Sequence, residues 1–153
     1  MRISMIGAGR VAYHLALVLS AQHEIVQIYS RTLEKAQQLA EQFKAQAIAE
    51  PEQLDHEVDL VIIAVSDQSI ANVIEQIHPY LQQNLIVHTS GSTHLDLLKN
   101  VHTRAGVFYP LQTFSLEHQI KWQQTPLFIE AVNEQDQILL LELANSLSNR
   151  VYT

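Results

Sequence analysis

Apolar positions along the chain switch repeatedly between two periods. Arg2–Ile6 is short, apolar and followed by Gly7-Ala8-Gly9, which predicts a buried strand. Val11, Ala12, Leu15, Ala16 and Leu19 then recur at helical spacing and predict a helix over 10–20. Ile25, Val26, Ile28 and Tyr29 predict a second strand over 24–29. Thr32 can cap a helix running to about Phe43, with Leu33, Ala36, Leu39, Ala40 and Phe43 on one face. A short strand over 47–49 follows, and Pro51 suits the first turn of a small helix. The continuous apolar run within 59–65 predicts a strand buried on both faces, as in a parallel sheet. Helix over 69–81, strand over 85–88, a short helix over 95–98 and a strand over 106–109 stopped by Pro110 come next. A strand over 127–132 and a helix over 134–149 complete the series, and 150–153 reads as the beginning of a further strand.

This alternation predicts right-handed βαβ units and an α/β, doubly wound, mostly parallel sheet. The 153 residues suit one domain, 1–153. The unfinished strand at the end suggests a fragment of a longer protein. A formal net charge of −7 argues against nucleic acid or an anionic membrane as partner. The absence of cysteine excludes disulfides, thiolate metal sites and cysteine nucleophiles. Eight scattered histidines include no helical pair with a nearby acid, so no metal site is expected. With no signal-peptide pattern and no membrane-length apolar run, a cytoplasmic location is expected.

Gly7-Ala8-Gly9-Arg10-Val11-Ala12 matches Gly-x-Gly-x-x-Gly/Ala between a predicted strand and a predicted helix. In a Rossmann domain, Gly7 permits the turn and Gly9 lets backbone approach a pyrophosphate. Ala12 lets the helix pack near the sheet. Helical N–H groups of the turn formed by Gly7, Ala8, Gly9, Arg10 and Val11 then face the phosphates. An NAD-binding domain expects a carboxylate about 20 residues on, at the end of the second strand. Ser30-Arg31-Thr32 stands there instead. Arg31 can pair with a 2′-phosphate and the two hydroxyls can donate to it, which selects NADP(H) as the expected cofactor.

Two further loops follow strands on the same sheet edge. Val65 and Ser66 are expected to line the crevice, with Asp67 capping the next helix. Ser90 and Gly91 are expected to reach the cofactor. Ser90 is a candidate for orienting substrate, and His88 for acid–base work or, more simply, a satisfied strand histidine.

These segments, with 108–114 (Phe-Tyr-Pro-Leu-Gln-Thr-Phe), occur in an order that resembles a known group. It comprises the Rossmann-like proteins carrying a C-terminal domain of unknown function (the DUF2520 group), assigned as NADP oxidoreductases. They sit within the superfamily of 6-phosphogluconate dehydrogenase, pyrroline-5-carboxylate reductase and ketopantoate reductase. The resemblance implies a C-terminal helical domain that this chain lacks, supplying dimer contacts and much of a small-molecule substrate site. Residues from about 105 onward would lead toward it, with Tyr109 and Gln112 facing the substrate. The implied activity is hydride transfer between NADP(H) and a small carbonyl, imine or hydroxy compound. A non-catalytic NADP(H) sensor or scaffold is the alternative, since fold alone does not decide function.

Overall fold

A computed structural model describes all 153 residues. Eight strands form one sheet in the order β3-β2-β1-β4-β5-β6-β7-β8. The strands are β1 (Arg2–Ile6), β2 (Glu24–Tyr29), β3 (Gln46–Ile48), β4 (Leu60–Ile63), β5 (Leu85–His88), β6 (Ala105–Pro110), β7 (Leu127–Ala131) and β8 (Val151–Tyr152). The helices are α1 (Arg10–Leu19), α2 (Leu33–Glu41), α3 (Ile70–Ile77), α4 (Asp96–Lys99) and α5 (Glu134–Leu147). The first six strands are parallel in the order 3-2-1-4-5-6, the doubly wound Rossmann arrangement, and the winding direction reverses between β1 and β4.

Strand alternation divides the core between the two faces. Ile3 and Met5 of β1, Leu60 and Ile62 of β4, and Leu85 and Val87 of β5 meet α1, α2 and α5. Ile6, Val61, Ile63 and Ile86 turn to the other face, against α3 and α4. No helix is long and apolar enough to cross a membrane.

The structure departs from the sequence reading in identifiable places. Pro110 does not stop β6; it is the last residue of the strand and pairs with Leu127. Pairing of β6 with β5 ends at Val107, so the missing proline N–H is not required on that side. No helix joins β6 to β7, only a long segment with a 3₁₀ turn at Trp122–Gln124, and β7 therefore returns antiparallel. Parallel pairing resumes at β8, across α5, as the terminal residues suggested. Helix α2 ends short of Phe43, where the chain turns through Lys44 at φ 55°. Pro79 converts the end of the helix expected over 69–81 into a 3₁₀ turn at His78–Tyr80. Strand β3 lies one residue earlier than expected, and α5 ends two residues earlier, where Ser148 becomes extended.

Candidate functional site

At the reversal point, beyond the carboxyl ends of β1, β2 and β4, lies a cavity of about 620 Å³. It gathers Gly7, Ala8, Gly9, Arg10 and Val11 of the first turn and Ser30, Arg31 and Thr32 of the second. Val65, Ser66 and Asp67 come from the third. The two glycines have different local reasons. Gly7 has φ +121°, and a Cβ there would overlap the Ala64 carbonyl oxygen. Gly9 has nothing within 4 Å of a hypothetical Cβ. Its absent side chain leaves open space in the cavity just where α1 begins. Gly9 occupies the N-cap position of α1 without a side-chain cap, and the first turn carries no acid. The leading N–H groups are thus left for an anion.

Three cations, Arg10, Arg31 and Lys35, line this cavity, and none of them is in a salt bridge. Sequence reasoning missed Lys35. It sits in the first turn of α2, three residues after Thr32, and its spacing was legible once α2 was placed. Ser30 Oγ accepts the Thr32 N–H at 3.2 Å, which shapes the turn carrying Arg31. Thr32 is the N-cap residue of α2, but its side chain makes no capping bond.

Asp67 does not cap a helix. Its carboxylate accepts a 2.7 Å hydrogen bond from Ser92 Oγ, tying the β4 loop to the β5 loop. Hydrogen bonds from Ser92 and Ser90 hold its carboxyl below the usual range. Ser90 and Gly91 do not line the first cavity. They line a neighbouring one with Tyr109, on the far side of the Asp67–Ser92 link. Gln112 turns away from both and donates to Thr125 Oγ1 at 3.3 Å.

His88 is fully buried. Its Nδ1 accepts the Ser90 N–H at 3.1 Å, while Nε2 has no partner. Burial pushes its pKa down, against smaller opposing effects of nearby carbonyls and Asp67. His102, buried with Nε2 at 2.6 Å from the Asn84 carbonyl, is also lowered, chiefly by burial. Both rings resist protonation in the folded state, whereas unfolded histidines titrate near 6.5. Their contribution to stability is complete above about pH 6.5 and is lost as pH falls toward the folded values. Asp55 and Asp67, both lowered, extend the loss below about pH 4. Urea midpoints should therefore be flat above about pH 7 and decline below 6.5; a midpoint unchanged down to about pH 5 would contradict the sequestered rings.

Residues 2–91 match the family described as NADP oxidoreductase, coenzyme F420-dependent. The chain belongs to this family. Its glycine turn, its β2 end, its β4 loop and the β5 loop as far as Gly91 fall within the matched span. Among solved structures, this NADP oxidoreductase domain is similar to NADP oxidoreductase BF3122 from Bacteroides fragilis, at 36% identity and TM-score 0.92. The match covers 99% of this chain and 59% of that one. Arogenate dehydrogenase from Synechocystis shares the fold at 15% identity and TM-score 0.84, over 99% of this chain and 59% of that one. Pyrroline-5-carboxylate reductase from Streptococcus pyogenes does so at 21% and 0.74, over 100% and 57%. No curated protein matches the sequence. The chain thus spans somewhat under two thirds of these solved relatives.

Proposed function

We propose that the first cavity binds NADP(H) and that residues 1–153 are the cofactor domain of a longer oxidoreductase. The observation that carries the reading is the pairing of an open glycine turn with Arg31 and Lys35 at an acid-free β2 end. The Gly9 gap and the α1 N–H groups fit a pyrophosphate. Arg31, Lys35 and the Ser30 and Thr32 hydroxyls fit a ribose 2′-phosphate. Val65 and Ser66 continue the wall past β4. When bound, the dinucleotide supplies or accepts the hydride; the chain's residues hold and orient it. The substrate in this reading is a small carbonyl, imine or hydroxy compound. A C-terminal helical domain of the DUF2520 type, a homodimer formed through it and a cytoplasmic location complete the proposal. The 59% coverage of the Bacteroides relative supports only that relative's greater length; the dimer and the location rest on the resemblance and on the absence of a signal or membrane pattern.

Calorimetric titration with NADPH and, separately, NADH tests the cofactor. A preference for NADPH of about tenfold or more is expected, equivalent to about 1.4 kcal/mol. Arg31→Ala should weaken NADPH by roughly 1.5–3 kcal/mol, the scale of hydrogen bonds to a charged group, and leave NADH nearly unchanged. An equal loss for both nucleotides would remove Arg31 from 2′-phosphate recognition. Lys35→Ala should act in the same direction but less, because a lysine gives one point contact where arginine gives a fork.

A further inference from the structure

The second cavity, about 530 Å³, opens beyond the carboxyl ends of β5 and β6. Its construction begins with the missing helix between β6 and β7. Helices α3 and α4 cover one face of the central strands, but no helix covers that face of β7 and β8. Alternation along β7 sends Leu127 and Ile129 into the core beside α5 and leaves Phe128 and Glu130 on the bare face. Register then places Tyr109 beside Phe128, Val107 beside Glu130, and Tyr152 on the other side of Phe128. The three rings stack in a row, with centroids 6.0 Å apart at 28° and 5.3 Å apart at 25°. Phe128 and Tyr152 are 38% and 45% exposed. The opposite wall is the β5 loop, whose Ser90 and Thr93 hydroxyls bond each other at 2.8 Å. Gly91 lets that loop lie against the Tyr109 ring, since a Cβ there would overlap it.

Charge decides which ligand fits this wall. No lysine or arginine lines the cavity, Glu130 is its carboxylate, and Asp67 stands directly behind Ser92. The one histidine, His94, has its Nδ1 held against Asp96, 3.1 Å from the N–H and 3.4 Å from the carboxylate. A ligand carboxylate would meet Glu130 and no lysine or arginine. A protonated nitrogen would gain Glu130, and an apolar ring would meet the exposed edge of Phe128. We propose that this cavity is a subsite for an apolar, ring-bearing amine or iminium compound, its cationic nitrogen directed to Glu130. That the subsite serves a substrate rests on the dinucleotide reading of the adjoining cleft; that it binds such a cation does not.

Tyramine and 3-(4-hydroxyphenyl)propionate carry the same ring on chains of similar length and differ in charge. Each would be titrated into the ¹⁵N-labelled chain, with NADPH and without it. Tyramine should shift the Gly91, Ser92 and Phe128 amides saturably, with a Kd about fivefold or more below that of the propionate, the scale of one partly exposed ion pair. Glu130→Gln should bring the two Kd values within about twofold of each other. Glu130 is exposed, so the variant folds, and its undisturbed spectrum elsewhere checks this. Equal Kd values in the parent chain, shifts confined to other regions, or a ratio unchanged in Glu130→Gln would overturn the proposal. NADPH is followed separately at the Gly9 and Thr32 amides. Tyramine binding without NADPH binding would leave the cation subsite standing and defeat the dinucleotide reading.

Discussion

Gly7→Ala is expected to cost the domain about 3–5 kcal/mol of stability, whereas Gly9→Ala is expected to leave the fold intact and weaken dinucleotide binding at least about tenfold. Two glycines two residues apart thus fail in opposite ways. At Gly7 the backbone sits at φ +121°, a conformation strained for an alanine by about 1–3 kcal/mol. The added methyl also overlaps the carbonyl of Ala64, a backbone atom that cannot rotate aside. Overpacking of that kind adds about 1–3 kcal/mol. Typical domains hold about 5–15 kcal/mol, so Gly7→Ala consumes a large share. At Gly9 the methyl meets no protein atom, and its effect falls on whatever occupies the space. Urea unfolding should separate the variants, and NADPH titration should show Gly9→Ala at least about tenfold weaker. A Gly9→Ala protein that binds NADPH normally would mean that no phosphate approaches this backbone.

The second large effect lies away from the cavity, where α5 meets the sheet. Asp136 has a side chain only 4% exposed, and Arg104 approaches it with Nη2 at 2.7 Å and Nε at 3.2 Å. Asn133 both caps α5, accepting the Asp136 N–H at 2.8 Å, and donates to the Asp136 carboxylate at 2.8 Å. Arg104 also donates to the Gln83 carbonyl, so one guanidinium fastens α5 to the chain entering β5. The two partners differ in exposure, and that decides which deletion is worse. With Asp136→Ala, Arg104, whose side chain is 40% exposed, can turn to water, and a loss of about 2 kcal/mol is expected. With Arg104→Ala, a buried carboxylate keeps only Asn133, and a loss of about 3–5 kcal/mol is expected. Urea denaturation of both variants and the double variant checks the order. If Asp136→Ala proves the more damaging, packing rather than charge holds this corner.

The parallel half of the molecule was legible because its signals are local and redundant. A continuous apolar run such as Leu60–Ile63 predicts burial on both faces, and the glycine turn after Ile6 fixes where the first helix must start. The first cavity followed, since its three loops hang on those strands. What stayed hidden depends on contacts distant in sequence. Pro110 reads as a strand breaker until the end of β5 pairing is known. Asp67 reads as a helix cap, because nothing local reveals Ser92 across the cleft, 25 residues away. Ser90 and Gly91 follow a strand on the correct sheet edge, yet that link places them in the second cavity. Lys35 is a different case: its place in the first turn of α2 follows from the helix start alone, three residues after Thr32.

The contact between Gly7 and Ala64 has a kinetic meaning as well. The first cavity lies between the turn after β1 and the loop after β4, and those segments touch backbone to backbone with no room for a side chain. Two lips packed in this way have no space left to close further on each other. A dinucleotide entering such a preformed slot would not wait for it to close, and the time of capture would be set by diffusion and by the field of Arg10, Arg31 and Lys35. Association should then slow steadily as salt screens those cations, with no plateau in rate at high ligand concentration.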